Sequence, residues 1–171
     1  FRASDNDLFG WLPIEITQLS NLITLDLSGN MFNGEIPNEF QDIVPLRTLH
    51  LNDQRFFDGF SGPLPSFENA AHIHDLDLSH NSLTGDISDK FLEKVRKSPN
   101  RTDYAYPTIN LSHNQITGGI PANWDEWVGL FIDLAGNKIT DVPDVLCDDD
   151  YEFQNYLEGQ LEENVCDAIL C

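Results

Sequence analysis

The chain has 171 residues, of which 29 are acidic and 9 are basic, so its formal net charge is −20 at pH 7. A protein that neutralises nucleic-acid phosphates or anionic lipid headgroups needs the opposite balance, so the charge argues against DNA, RNA and anionic membrane surfaces as partners. The longest apolar stretches, such as residues 127–132, are far too short to cross a bilayer.

A single sequence frame recurs along most of the chain, at intervals of 23 to 33 residues. Two apolar residues alternate with polar ones, an asparagine follows, and a glycine and an Ile-Pro pair come after it. The most complete copies, one of which has Ser88 in place of the proline, occupy residues 25–37, 76–88 and 109–121. Weaker copies occupy residues 6–13, 49–65 and 132–139. A repeat of this length predicts a solenoid, here of about six coils.

Each position of the frame has a physical reason. The alternating apolar residues point to one face of a short strand and the residue between them to the other, so one face is core and the other is solvent. The asparagine turns inward, where its amide satisfies backbone groups left unpaired as the chain leaves the strand. The glycine suits a bend with positive φ, and the proline fixes φ in the segment that returns to the next strand. The asparagine positions, which we expect to stack as a ladder, are Asn6, Asn30, Gln54, Asn81, Asn114 and Asn137.

This frame resembles the repeat of the plant-type leucine-rich repeat family, L-x-x-L-x-L-x-x-N-x-L-x-G-x-I-P, over about residues 1–146. The resemblance implies an α/β repeat fold, a right-handed curved solenoid with a parallel β-sheet on its concave face. It also implies loops or short helical turns on the convex face. Proteins of this family usually read their ligand with the outward strand positions of the concave sheet.

The first of two insertions lies near residues 55–61 and is rich in phenylalanine. Aromatic side chains most often bury themselves, so these could fold over the core. An exposed cluster would instead mark a contact with a partner. The residues concerned are Phe56, Phe57 and Phe60.

The second insertion, near residues 88–107, holds five of the nine basic residues. Its first part, residues 88–97, predicts a short amphipathic helix. The segment is either a solvated convex helix with a polar loop or a basic platform for an anionic partner or a neighbouring subunit. The apolar face of the helix would carry Phe91, Leu92 and Val95, and the candidate contact residues are Lys90, Lys94 and Lys97.

Residues 147–171 depart from the repeat and predict an acidic C-terminal cap that seals the last coil. All three cysteines lie there, a placement that suggests disulfides in an oxidising compartment. Cys147 can pair with either Cys166 or Cys171, which leaves one cysteine over. The cap resembles the cysteine caps that close repeat arrays in surface proteins of diatoms and related algae. Neither the spaced ligands of a calcium loop nor the ligand set of a zinc site is present, so we expect no metal.

Two glycosylation sequons, at Asn100 and Asn110, are consistent with an extracellular or cell-surface location reached by the secretory route. Asn110 falls in the middle of a predicted concave strand, where a glycan would block binding. At the other end of the chain, Phe1 and Ala3 fall on inward strand positions, so we expect the chain to be part of a longer protein or complex.

The outward strand positions form two columns that we treat as the candidate ligand-binding surface. They would bind a polar or basic protein or peptide, or a glycan stacked on an aromatic ring. The first column comprises Thr24, Thr48, Asp75, Thr108 and Phe131, and the central column comprises Asp26, His50, Asp77, Asn110 and Asp133.

The sequence favours a binding protein over an enzyme. It has no nucleophile elbow, phosphate loop or metal motif, and acid-base catalysis needs paired groups in a cleft, so we expect neither catalysis nor a cofactor. The first hypothesis is an extracellular recognition module that binds through the concave face. The second is a structural or adhesive subunit that docks through its insertions and cap. Ice binding is disfavoured because Asp75 and Phe131 interrupt the threonine column.

Overall fold

The computed structural model of the protein describes residues 1–55, 58–96, 107–126 and 131–144. Phe56, Phe57, Lys97, Asn100 and the cysteine cap of residues 147–171 therefore lie outside the described residues. The strands within the described part are β1 (Phe9–Trp11), β2 (Thr24–Asp26), β3 (Met31–Glu35), β4 (Thr48–His50), β5 (Phe60–Pro63), β6 (Asp75–Asp77), β7 (Ser82–Thr84), β8 (Thr108–Asn110) and β9 (Phe131–Asp133).

Five strands form the predicted parallel sheet, in the order β2-β4-β6-β8-β9. Their middle residues pair with one another across the whole sheet and are no more than 1% exposed, whereas their neighbours face outward. The alternation of core and solvent positions is thus confirmed in every strand. These middle residues are Leu25, Leu49, Leu76, Ile109 and Ile132.

A second parallel sheet, in the order β1-β3-β5-β7, lies after the asparagine positions and was not predicted. We refer to it as the lateral sheet. In β1, β3 and β5 the glycine of the frame, interpreted above as part of a bend, lies within the strand, as at Gly34 in β3. Gly34 has φ of 82°, a conformation open mainly to glycine. A positive φ inside a strand gives no two-residue alternation in the sequence, which explains why the lateral sheet was missed.

Short helices connect the lateral sheet to the next concave strand, as the family resemblance implies. Three are 3₁₀ helices, Ile14–Gln18, Asn38–Asp42 and Ala122–Glu126, and each follows a proline of the frame. Pro13 and Pro37 have φ of −65° and −59°, which pre-sets the first turn. None of the helices in the described part of the chain has the length and apolar character that spanning a membrane requires.

The helix predicted over residues 88–97 is much shorter in the structure, where α1 spans only Glu93–Arg96. Leu92 has φ of 52°, which ends any helix before it, and its N–H donates to Ser66 O at 2.8 Å. The segment therefore bonds to the preceding coil as well as to itself, since Lys94 N–H also donates to Glu68 O at 3.2 Å. The three apolar residues predicted to share a face are nevertheless buried together: Phe91, Leu92 and Val95.

The asparagine ladder is present and joins every coil to the one before it. Asn81 Nδ2 donates to Leu78 O and Ser79 O of its own coil and to Leu51 O of the preceding coil, each at 3.1 Å. Its Oδ1 accepts from Phe60 N of the preceding coil at 2.8 Å. The same bonds to both coils are made by Asn30, Gln54, Asn114 and Asn137.

Replacement of Asn81 by alanine should strongly destabilise the array. It removes four hydrogen bonds and leaves buried backbone groups of two coils without partners, so we expect a loss of about 2–4 kcal/mol in the free energy of unfolding. Asn33→Ala is the matched control because Asn33 is half-buried in β3 and makes no side-chain hydrogen bond among the described residues. Its effect should stay within about 0.5 kcal/mol by urea unfolding. Equal effects of the two substitutions would contradict the ladder account.

Alanine substitutions at two glycines distinguish the cost of backbone strain from the cost of crowding between coils. Gly118 has φ of 74°, and a Cβ there would lie 2.6 Å from the Asp86 carboxylate, whereas Gly10 has φ of 93° and open space. Asp86 is in turn held by Thr117 Oγ1 at 2.8 Å. Gly10→Ala should therefore cost about 1 kcal/mol and Gly118→Ala roughly 2–3 kcal/mol in thermal unfolding. An equal or larger effect at Gly10 would mean that crowding between coils contributes nothing.

Candidate functional site: the concave face

The register of the concave sheet brings all ten residues of the two predicted columns onto one surface. Thr48 pairs with Thr24 on one side and with Asp75 on the other, and His50 pairs with Asp26 and Asp77. The same two columns continue through β8 and β9 to Phe131 and Asp133. With parallel strands about 4.8 Å apart, each column is a straight line of closely spaced side chains.

The central column is fixed in orientation by the residues two positions later. Ser79 donates to Asp77 Oδ1 with its N–H at 3.0 Å and its hydroxyl at 2.7 Å. Ser28 does the same to Asp26 at 3.3 and 2.7 Å, and Ser112 to Asn110 at 3.1 and 2.8 Å. We call this arrangement the serine clamp. Bonds of this kind hold the carboxylate or amide in one rotamer.

Asp133 is held in a reduced form of the same arrangement, since Ala135 has no hydroxyl. Only the Ala135 N–H donates to Asp133 Oδ1, at 2.9 Å. The role of the serine column went unnoticed in the sequence, although the triplets Asp-Leu-Ser and Asn-Leu-Ser that signal it recur there.

His50 and Asp75 form a pair across two adjacent strands. His50 Nε2 lies 3.0 Å from Asp75 Oδ2, and the two side chains are 29% and 38% exposed. The pair lies diagonally between the two columns, so Asp75 already has a partner on the surface. Asp75 therefore differs from the aspartates of the central column, which bond to the residue two positions later and, among the described residues, not to a histidine.

The two ends of the face carry different chemistry. Phe131 is 44% exposed in the last described strand and offers an apolar contact there. At the other end Arg2 forms an isolated bridge with Asp26 and adds a basic residue to the central column. Arg2 was not among the predicted site residues, although counting back from Asn30 by one coil places it there.

The insertion residues that the structure describes, Phe60, Lys90 and Lys94, lie outside the concave strands. Phe60 is completely buried in β5 and stacks on Phe32 with ring centroids 6.3 Å apart, so it is not available as a partner contact. Of the two alternatives for this insertion, burial is confirmed for Phe60, which fills the inward position of a lateral strand, and a partner contact through its ring is wrong. Lys90 and Lys94 are exposed between β7 and β8, and Lys90 Nζ lies 3.7 Å from Glu68 Oε2.

A pair of exposed histidines at the corner that follows the concave strands was also missed. His80 and His113 stack at 4.4 Å with an interplanar angle of 18°, and both have positive φ. Among the described residues no group of three or more His, Cys, Asp or Glu side chains could hold a metal ion.

Comparison with known proteins gives consistent matches. The leucine-rich repeat family model matches residues 21–43, 72–93 and 108–127. Receptor-like protein 32 of Arabidopsis thaliana is 32% identical over 160 residues, an alignment that covers 71% of this chain and 18% of that protein. The chain thus spans less than a fifth of the length of this relative.

Solved structures share the fold. A plant ice-binding protein superposes with a TM-score of 0.69 at 28% identity, covering 87% of this chain and 44% of that one. The Arabidopsis receptor kinase HAESA, solved with the peptide hormone IDA and the co-receptor SERK1, superposes with a TM-score of 0.59 at 26% identity, covering 90% and 28%. Together with the repeat frame, the asparagine ladder and the parallel concave sheet, these matches establish that the chain belongs to the leucine-rich repeat family, in its plant-type form.

Proposed function

We propose that this chain is a recognition module of an extracellular protein, without catalytic activity, that binds a protein or peptide on its concave face. The observation that carries the proposal is the pair of aligned columns, in the central one of which serine clamps hold Asp26, Asp77 and Asn110 in fixed orientations. Pre-oriented groups lose little conformational freedom on binding, which favours affinity. HAESA, a structural neighbour, was solved in complex with a peptide hormone.

Electrostatics favours a basic ligand. Four aspartates lie on the concave strands, and the whole chain carries a net charge of −20. Charge complementarity speeds association and excludes acidic partners by several kcal/mol. The same open sheet is poorly suited to catalysis, which needs reacting groups held together in a site from which water is excluded.

The extracellular location rests on three observations that agree. Receptor-like protein 32 is a relative, the chain contains two sequons, and its cysteines are grouped in one short segment. The scaffold alternative would use the exposed Lys90 and Lys94 instead of the concave strands. It is weakened by Phe60, whose burial removes one of its contact residues. Ice binding, the property of another relative, is disfavoured by Asp75 and Phe131, which interrupt the threonine column in the paired register.

Two matched substitutions test which face binds. Thr108 on β8 and Thr84 on β7 are both exposed strand threonines, one on the concave sheet and one on the lateral sheet. Peptides selected from a random display library against the wild-type chain should lose at least about tenfold in affinity for Thr108→Arg, because the long cationic side chain obstructs and repels. They should bind Thr84→Arg and Lys90→Glu as they bind the wild type, measured by fluorescence anisotropy.

The opposite pattern would contradict the proposal. Selected peptides that tolerate Thr108→Arg but lose affinity for Lys90→Glu would move binding to the second insertion and favour the scaffold. A library that yields no ligand sensitive to Thr108→Arg would likewise remove the concave face from consideration.

A further inference from the structure

Three carboxylates on the concave sheet are evenly spaced. Asp26, Asp77 and Asp133 occupy the same register position on β2, β6 and β9, with one strand between each pair. At about 4.8 Å per strand, consecutive members lie about 9.6 Å apart and the outer two about 19 Å apart. The uncharged Asn110 and the paired His50 occupy the intervening strands. We call this set the carboxylate row.

Each member of the carboxylate row has one oxygen engaged and one available. Oδ1 accepts from the residue two positions later, in a full serine clamp at Asp26 and Asp77 and a single N–H bond at Asp133. Within the described part of the chain, Oδ2 of each has no hydrogen-bond partner. Asp75 lies in the other column and is paired with His50, so it does not disturb the spacing.

The interior strands of the concave sheet, over which a ligand bound to the row must pass, leave it little but side chains to bind. β4, β6 and β8 are paired on both edges, so their backbone groups are used within the sheet. A ligand that crosses the strands must therefore be recognised through its own side chains. Such a surface suits a peptide whose backbone needs no hydrogen bonds from the protein. Polyproline II is such a conformation, because its backbone is fully solvated.

We infer that the ligand of this face, given the concave recognition proposed above, is a polyproline II peptide with lysine or arginine at every third position. Polyproline II has three residues per turn and rises about 3.1 Å per residue, so side chains on one face recur about every 9.3 Å. Three such cations span about 18.6 Å, which matches the carboxylate row. An extended strand repeats its face at about 6.8 Å or 13.6 Å and does not match. Phe131, 44% exposed beside Asp133, provides a surface for a proline ring.

Two peptides of identical composition test the spacing. One is an acetylated, amidated heptapeptide with lysines at its first, fourth and seventh positions and prolines elsewhere; the other has its three lysines adjacent. The spaced peptide should bind the full chain at least about tenfold more tightly at low ionic strength, by isothermal titration calorimetry. Its affinity should fall steeply with added salt because the contacts are ionic.

Substitution of aspartate by asparagine can remove the charges of the carboxylate row while keeping its geometry. Asn110 accepts the same two serine bonds as Asp77, so Asp77→Asn removes the charge and keeps the clamp. Asp77→Asn should weaken the spaced peptide about threefold to fivefold, as expected for one exposed ion pair. The substitution of all three aspartates should weaken it roughly 30- to 100-fold, because sites this far apart are nearly additive. Glu15→Gln, an equal charge change in the helix Ile14–Gln18, should have no effect.

The outcomes separate this inference from the proposed function. Equal affinity of the two heptapeptides, or tighter binding of a helical peptide with lysines seven residues apart, overturns the polyproline II assignment. If that tighter ligand is still weakened by Thr108→Arg, concave recognition stands. Ligands indifferent to both Asp77→Asn and Thr108→Arg overturn the inference and the proposed function together.

Discussion

The asparagine ladder is the interaction on which the rest of the structure depends. From Asn30 onward, each ladder side chain binds carbonyl groups of its own coil and of the coil before it, and accepts an N–H from that earlier coil, as Asn114 does with Leu78 and Leu83. A bond that links two coils fixes their relative position. Because a coil cannot bury its own apolar edge, stability in such an array comes from these boundaries between neighbours. Loss of one ladder residue therefore affects two coils at once.

The ladder also explains the surface chemistry. Once the coils are held in register, equivalent positions of successive strands form straight columns, and the spacing of any functional group is a multiple of the strand separation. The serine clamps add a second level of order, since they hold the central side chains in one rotamer on strands whose backbones are already fixed. The central column is therefore ordered in both spacing and side-chain orientation. Rigid displays of this kind suit recognition more than chemistry that needs closure around a substrate.

Sequence periodicity was sufficient to predict the positions that recur in every coil. Alternation identified the core positions Leu49 and Leu76 and the outward His50 and Asp77, and the asparagine spacing identified the ladder, including the substitute Gln54. The lateral sheet was not predicted because β1, β3 and β5 each contain a glycine with positive φ and so lack an alternating pattern. Phe60 was ambiguous because burial of an inserted aromatic depends on neighbouring coils, which here supply Phe32 beneath it.

Features formed between coils were the least predictable. The His50–Asp75 pair and the His80–His113 stack each join residues from different strands, and only the exact register brings them together. Contact between coils also explains why helix α1 is short, since Leu92 N–H donates to Ser66 O of the preceding coil. In the α1 segment an intercoil hydrogen bond thus replaces a bond that a longer helix would have made.

Amide hydrogen exchange measured by NMR would test that role most directly. The N–H groups of four residues donate to ladder side chains of the following coil: Phe32, Phe60, Leu83 and Ile116. If the ladder holds the coils together, these four amides should exchange within about tenfold of the rates of the buried concave strands, because both open only when coils separate. Exchange as fast as that of exposed turn amides would show that the side-chain bonds open independently, and would contradict the account.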